Sequence, residues 1–346
     1  MNNITDKKFN SDSKKIIRSD WIKPILKDLH ENLGKKLFYL GLPDSEAIDI
    51  KEWLEYLDSV YAFQCREYPN ASDSNQSREK IVILEKTLRE LERKRHISTF
   101  DVFDGYIEEV ILRGFDNSPN RKEYLQEKTI TLYNLDFCNQ ITSPIKYLDK
   151  YGTLQEAFKL NAISRLLYYQ KNIIHENKKF IMFLTLHCSY SGKEIHEFYS
   201  KKNPDDIDDI REYIKQIEKL TKGNKSPYII KAFIYYTINK FFTDNLFYVE
   251  FLPTIYYKGD NENPLLFFTI IGTTEADNTK TSIVQYQKMS EILNTPFLSP
   301  MSNNKFEKNE KLNLKNDIEF KEDLNNLNSL SLLKSLKIYQ KLCEND

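Results

Sequence analysis

The chain has 346 residues, with 50 Lys and Arg residues against 51 Asp and Glu residues and a formal net charge of −1. This length can bury a large core in one main domain with appendages, and the balanced charge does not indicate nucleic acid as a partner, although a local basic face stays open. The four scattered cysteines lack Cys-x-x-Cys spacing, and the apolar runs are too short to cross a bilayer. These features disfavour a zinc site, a disulfide framework and a membrane span, and they indicate a cytoplasmic protein.

Glycine is scarce in this chain. There are nine glycines, and no two of them lie within four positions of each other. The sequence therefore contains neither the G-x-G-x-x-G fingerprint of dinucleotide-binding domains nor a P-loop. Phosphate chemistry of the P-loop kind is excluded on this ground.

The N-terminal part predicts a leader, a helix and a strand–helix–strand unit. Residues 1–13 are polar and are expected to be disordered. Residues 20–34 predict a helix, because apolar residues recur at helical spacing between Pro24 near its start and Gly34 as its stop. There follow a strand at Leu37–Leu40, a tight turn at 41–44, a helix with Asp44 or Ser45 as N-cap, and a strand at Val60–Phe63.

Three further strands are predicted at residues 97–105, 129–138 and 179–188. Helices are predicted before the first and the last of these, at 79–96 and 154–174, whereas periodicity leaves 106–114 open between a helix and a strand. The last of the strands is apolar throughout, which is typical of a central parallel strand. Five strands alternating with helices predict an α/β fold with a doubly wound, mostly parallel sheet.

The following segment breaks this alternation. A helical insertion is predicted at about 203–243. Two successive strands at 245–257 and 264–274 then predict a C-terminal antiparallel hairpin, in which Pro253 implies a bulge or an edge position.

The tail predicts a separate element. After a short helix near 281–293, residues 299–346 predict a polar linker and an amphipathic helix, in which leucines recur within 324–346. The main domain is therefore expected at 14–295. Because the apolar face of the tail helix needs a surface to pack on, we expect 324–346 to dock on its own domain, on a protein partner or on a second copy of the chain.

This element order resembles the class I S-adenosylmethionine-dependent methyltransferase fold. A helix precedes strand one, five strands alternate with helices, and an antiparallel hairpin ends the sheet, which an ordinary dinucleotide-binding domain lacks. Within this class the chain also resembles a prokaryotic family with a degenerate cofactor loop. The resemblance covers about residues 20–280 and implies S-adenosylmethionine as the cofactor.

The resemblance also implies site residues at the strand ends. Gly41 and Asp44 would line the methionine end of the cofactor, and Gln64 stands where the family has an acidic residue that binds the ribose hydroxyls. Asp104 matches the position that contacts the adenine amino group, and Asp136 lies where the reacting group of the substrate is held. The alternative interpretation of all three aspartates is the capping of loops or helices.

Two cysteines add a sharper hypothesis. RNA cytosine-5 methyltransferases are similar in carrying one cysteine after each of the fourth and fifth strands, where this chain has Cys138 and Cys188. That resemblance implies that one cysteine attacks the base ring covalently and the other assists release, with Cys138 a candidate catalytic residue, whereas buried inert thiols are the alternative. In the methyltransferase interpretation Asn139 would hold the acceptor together with Asp136. The spacing of His187 and His196 matches no metal-ligand motif, so we expect no metal site.

Two functions remain from the sequence. The first is an S-adenosylmethionine-binding methyltransferase whose acceptor is unknown, nucleic acid being one candidate. The alternative is a catalytically inactive subunit that acts as an interaction partner in a multi-protein system. The glycine-poor first loop, the absent ribose acid and the leucine-rich tail favour this alternative.

Overall fold

We describe the protein from a computed structural model. The structure describes residues 11–64, 74–137, 140–173, 179–188, 195, 197–198, 226–259, 263–274, 296–301, 306–309 and 312. The chain divides into two compact units. The first unit comprises Ile25–Leu184 and Ile271–Thr274, and the second comprises Met1–Pro24, Thr185–Ile270 and Glu275–Asp346.

The helices have the following bounds: α1 Asp12–Ile16, α2 Lys23–Leu33, α3 Ile48–Glu52, α4 Ser74–Arg93, α5 Ile107–Arg113, α6 Lys159–Ile173 and α7 Ser226–Asp244. A π-helical segment, Ile17–Ile22, joins α1 to α2, and a 3₁₀ turn, Leu54–Tyr56, follows α3. The helix predicted ahead of strand one is confirmed, and Gly34 ends it with a left-handed φ of 62°. The segment that periodicity left open is helix α5.

The strands have the following bounds: β1 Leu37–Gly41, β2 Leu57–Gln64, β3 Thr99–Asp104, β4 Leu132–Asp136, β5 Ile145–Leu148, β6 Leu154–Ala157, β7 Lys179–His187, β8 Tyr248–Phe251, β9 Thr254–Lys258, β10 Pro264–Thr273, β11 Phe297–Pro300 and β12 Phe306–Lys308.

The strands of the first unit follow the order β7-β4-β1-β2-β3. β1 pairs in parallel with β2 on one side and with β4 on the other, and β2 pairs in parallel with β3. Helices separate these strands along the chain, as the alternation of elements predicted. The side chains of β1 are buried throughout, because the strand lies in the middle of this group.

A small hairpin in the first unit was not predicted. β5 and β6 form a separate antiparallel pair, so the helix predicted from residue 154 begins only at Lys159. The turn between them explains the difference. The Asp149 carboxylate accepts from the amides of Tyr151 and Thr153, both at 2.9 Å, and Gly152 adopts a φ of 78°.

The second unit contains the predicted hairpin. Its strands follow the order β12-β11-β9-β10, with β8 also pairing with β10, and β9 pairs with β10 in antiparallel orientation. Pro253 lies between β8 and β9, where it interrupts the predicted single strand, because proline cannot donate to a ladder. Part of the predicted polar linker is instead strand, since β11 and β12 pair at 298–300 and 306–308.

Several predicted segments lie outside the described residues. These are residues 1–10 of the leader, the first part of the 203–243 insertion, the short helix near 281–293 and the tail helix within 324–346. They stay predictions. In the part of the chain that the structure does describe, no helix is both long and apolar enough to span a membrane.

Candidate functional site

The strand registers place four predicted site residues along one edge of the sheet. Gly41 is the register partner of Ala62 in β2 and of Asn134 in β4. Gln64 and Asp136 each lie two residues further along those strands, and Gln64 is the register partner of Asp104.

Two consequences follow from these registers. Because side chains alternate between the faces of a strand, and register partners share a face, Gly41, Gln64, Asp104 and Asp136 all point to the same face of the sheet. With strands about 4.8 Å apart, Asp136 and Asp104 lie roughly 14 Å from each other along this edge. The registers therefore bring these four predicted residues to one face of the sheet, at the carboxyl ends of four strands. We call these strand ends the carboxyl edge.

The space beside Gly41 is filled by the protein itself. A Cβ on Gly41 would lie 2.6 Å from the Tyr39 hydroxyl and 2.5 Å from the Asn134 carbonyl oxygen, so only glycine fits here. Tyr39 is fully buried, and its hydroxyl lies 3.4 Å from Nδ2 of Asn134. The same Nδ2 donates to Oδ2 of Asp49 at 3.0 Å. The glycine thus accommodates a phenol and leaves no opening beside its Cα on this face.

Burial and three carboxylates act on the pKa of the Tyr39 phenol. Burial raises the pKa of Tyr39 well above its ordinary value, and Asp49, Asp44 and Asp136 raise this pKa further by their negative charge. The turn after β1, helix α3 and the end of β4 therefore each contribute a carboxylate that acts on the Tyr39 hydroxyl. The phenol stays protonated there.

Gln64 carries a buried acceptor at the end of β2. Its Oε1 is buried, and no hydrogen-bond donor reaches it from the described residues. An unpaired buried carbonyl oxygen costs about 1–3 kcal/mol, so such an atom calls for an explanation. A hydroxyl group of a ligand is a donor that would satisfy it.

Asp104 is the last residue of β3, and hydrogen bonds to its backbone hold it in place. Its backbone amide donates to Oδ2 of Asp116 at 3.1 Å, and its carbonyl oxygen accepts from the amide of Asn117 at 2.7 Å. Gly105 follows with a φ of 144°, and a Cβ there would lie 2.8 Å from Nδ2 of Asn117. Asp116, buried to 2 % exposure, also accepts from the amides of Ser118 and Lys122. The backbone that carries Asp104 is therefore held in place before any ligand binds.

Asp44 has a capping role in the structure. Its Oδ1 accepts from the amide of Glu46 at 2.7 Å, and its carboxylate lies 3.4 Å from the amide of Ile48 at the start of α3. The residue directly before the helix is Ala47, with a left-handed φ of 54°. The Asp44 carboxylate thus stabilises the entry into α3 in the way the capping alternative predicts.

Of the two cysteines singled out in the sequence, the structure describes only Cys188. Cys138 and Asn139 lie outside the described residues. Cys188 is buried, and burial raises its thiol pKa to about 12, so this thiol is protonated and unreactive at neutral pH. Among the residues that the structure describes, no group of three or more His, Cys, Asp or Glu side chains is placed to hold a metal ion.

Sequence reasoning missed a buried ion pair in the first unit. Lys159 at the start of α6 and Glu108 in α5 lie 3.3 Å apart, with their side chains 3 % and 4 % exposed. The Lys159 ammonium also lies 5.7 Å from the ring centroid of Phe137, the residue that follows Asp136. No periodicity marks such a pair, because its two members come from helices distant in sequence. Tyr39 was missed for a different reason, since it reads as one more apolar residue of β1.

A cavity of about 360 Å³ opens at the opposite ends of these strands. It lies near the amino ends of β1, β2 and β4 and is lined by Lys35, Lys36, Phe38, Asp58, Ser59, Glu127, Lys128, Thr129, Thr131 and Ile173. Open parallel sheets bind ligands outside the carboxyl ends of their strands. We therefore place the candidate site at the carboxyl edge and not in this cavity.

Comparison with solved structures gives distant likenesses. A SAM-dependent methyltransferase from Methanosarcina mazei is 12% identical over 72% of this chain and 97% of its own, with a TM-score of 0.35. An rRNA methylase from Streptococcus thermophilus is 9% identical over 73% and 96%, with a TM-score of 0.31. A precorrin-6y C5,15-methyltransferase from Geobacter metallireducens is 8% identical over 77% and 94%, with a TM-score of 0.32.

Because these TM-scores are low, the fold is assigned from the order and pairing of the helices and strands. The helix ahead of β1, the alternating parallel strands and the β9–β10 hairpin confirm the predicted α/β fold of the class I methyltransferase type. No curated protein matches the sequence. A family model described as PP_RS20740-like matches residues 13–218. Because this match covers more than half of the chain, the protein belongs to the PP_RS20740-like family.

Proposed function

We propose that the protein binds S-adenosylmethionine through its adenosine half, at the carboxyl edge formed by β1, β2, β3 and β4. The observation that carries this proposal is the buried Oε1 of Gln64, which no donor in the described part of the chain reaches, together with the register between Gln64 and Asp104. A ribose hydroxyl would donate to this oxygen, and the Asp104 carboxylate would accept from the adenine amino group. Both residues face the same side of the sheet, as one nucleoside requires.

The two halves of the cofactor fit differently. The adenosine half would bind to the Gln64 carbonyl, which no donor of the described residues reaches, and to the Asp104 carboxylate, whose backbone is held in place. The methionine half does not fit beside Gly41 on the shared face, because the Tyr39 hydroxyl and the Asn134 carbonyl occupy that space. S-adenosylmethionine supplies an activated methyl group when it is bound. We propose that Asp136, Asn139 and Cys138 hold the methyl acceptor. Nucleic acid is one candidate for this acceptor.

Calorimetry of the purified protein tests the proposal. Adenosine and S-adenosylmethionine are each expected to bind with micromolar affinity, and Asp104→Ala is expected to abolish the heat. Asp101→Ala is the matched control, because Asp101 lies on the same strand and three residues earlier, so it faces the other side and pairs with Lys122. Wild-type protein that gives no heat with either ligand at high concentration would contradict the proposal.

We also propose a second function, favoured by the crowding of Gly41. A domain whose own phenol fills this space could serve as an interaction subunit that performs no chemistry. Under this proposal neither ligand binds, and the segment 324–346 supplies the contact with a partner or with a second copy. The calorimetry therefore separates the two functions.

A further inference from the structure

The strand order reverses within the first unit at a defined point. From β1 the chain runs outward to β2 and β3 on one side, and it returns to place β4 and β7 on the other. Ligands of open α/β sheets bind outside the carboxyl ends of the strands at such a reversal. The reversal lies between β1 and β4, where Gly41 and Asn134 are register partners.

Tyr39 fills this reversal point. It lies two residues before Gly41 in β1 and therefore points to the same face as Gln64 and Asp104. Its hydroxyl reaches the level of Gly41, at 2.6 Å from the position of a Cβ there, and the side chain is fully buried. The Asn134 amide lies between the phenol and the Asp49 carboxylate, which holds the ring in this place.

We propose that Tyr39 is the specificity-determining residue of the crevice, which admits the adenosine half of a ligand and excludes a methionine tail from the reversal point. This inference rests on the proposed function and assigns the affinity of the site to the nucleoside alone. S-adenosylmethionine and adenosine then bind wild-type protein equally well. Removing the phenol opens the reversal point to the tail.

The charges around Tyr39 define what the opened space would accept. Asp49 lies one hydrogen bond away from the amide beside the phenol, and Asp49, Asp44 and Asp136 all act on the phenol by their negative charge. The methionine tail of S-adenosylmethionine carries an ammonium and a sulfonium cation beside its carboxylate. A space near these carboxylates therefore favours this tail once the ring is gone.

The test compares dissociation constants for adenosine and S-adenosylmethionine in wild-type protein, Tyr39→Leu and Tyr39→Met. Wild-type protein is expected to bind the two ligands within about threefold of each other. Tyr39→Leu is expected to bind S-adenosylmethionine about tenfold more tightly than wild type, with adenosine unchanged. Tyr39→Met, whose flexible side chain adapts to the core, gives the same comparison if the leucine variant does not fold.

A matched control separates a local opening from a general loosening of the core. Tyr133 in β4 is equally buried, but its hydroxyl donates to Gln170 and it lies on the other face from Asn134. Tyr133→Leu is expected to leave the ratio of the two dissociation constants unchanged.

The outcomes distinguish this inference from the proposed function. If wild-type protein binds S-adenosylmethionine ten or more times as tightly as adenosine, or if the Tyr39 variants leave the ratio unchanged, the role of Tyr39 is wrong while nucleoside binding stands. If neither ligand binds any of these proteins, the proposed function fails and the inference fails with it. Binding of S-adenosylmethionine to the Tyr39 variants alone would overturn the nucleoside site proposed for wild-type protein, and with it the inference.

Discussion

Gln64 and Gln170 in the first unit differ in how their side-chain carbonyl oxygens are satisfied. The Gln170 side-chain carbonyl accepts from Gln126, from the amide of Ile130 and from Tyr133, and its Nε2 donates to the Ile130 carbonyl at 2.7 Å. The Gln64 carbonyl has no donor among the described residues. A satisfied buried amide holds the fold together, whereas an unsatisfied one costs stability.

The contrast gives a prediction for Gln64→Met. We expect this variant to raise the free energy of unfolding by about 1 kcal/mol, because it removes an unpaired buried acceptor. Adenosine binding should weaken at the same time, because the ribose loses its acceptor. Urea denaturation and calorimetry measure the two effects. Gln170→Met is the control and should lower stability, and a Gln64 variant that loses stability and keeps its affinity would show a purely structural role.

Lys231 in the second unit is a buried amine next to aromatic rings. It is 0 % exposed, and its Nζ lies 4.7 Å from the ring centroid of Phe297 and 5.7 Å from that of Tyr235. Burial lowers its pKa from 10.5 to about 7. Between these two values the unfolded chain binds a proton that the folded protein does not, so stability rises with pH across this window.

Lys231→Met should therefore change the pH dependence of stability. We expect the stability of wild type to rise by about 2 kcal/mol from pH 7 to pH 9 relative to that of the variant, which lacks this titration. Urea denaturation at the two pH values measures this. Lys258→Met, which replaces an exposed lysine of the same unit, should follow the wild-type pH dependence. Parallel curves for Lys231→Met and wild type would show that the amine is protonated in the fold.

At the scale of elements, the ion pair between Glu108 and Lys159 ties α5 to α6. Both side chains are almost fully buried, so each charge depends on the other for compensation. Removing one member of such a pair typically costs about 3–5 kcal/mol, whereas replacing both by apolar groups is often neutral. The pair lies beside Phe137, directly after the strand end that carries Asp136.

A double-mutant cycle tests this role. Lys159→Met alone should lower the free energy of unfolding by about 3 kcal/mol or more, because it leaves the Glu108 carboxylate buried without its ion pair. Glu108→Leu combined with Lys159→Met should recover most of this loss. The exposed pair of Glu90 and Lys94 at the end of α4 provides the control, where the same cycle should give a much smaller coupling than at the buried pair. Additive effects at the buried pair would contradict the proposed coupling.

The elements also show where sequence reasoning succeeds. β1 and β7 were predicted because an apolar run buried on both faces is a strong local signal. β6 was missed because the sequence of Leu154–Ala157 favours a helix, and only its pairing with β5 across the Asp149 turn makes it a strand. The line of Gly41, Gln64, Asp104 and Asp136 could be predicted from strand ends alone. The position of the Tyr39 ring could not, because it depends on the register between β1 and β4.

At the scale of the whole molecule, the candidate site and the tail belong to different parts of the chain. The proposed nucleoside contacts come from β1 to β4 in the first unit. The leucine-rich segment 324–346 lies outside the described residues, and its amphipathic helix stays a prediction. If the site is built from strand ends only, ligand binding and association are separable properties.

Deleting residues 324–346 tests that separation in the otherwise complete chain. We expect the dissociation constant for adenosine to stay within about twofold of wild type, because no proposed contact comes from the tail. We expect the oligomeric state, measured by light scattering after size exclusion, to shift toward monomer, because the deletion removes the leucine face. Asn328→Ser in the full-length chain is the control, since it alters the segment and keeps its leucines. A deletion that changes ligand affinity and leaves the oligomeric state unchanged would place the tail at the site instead of at an interface.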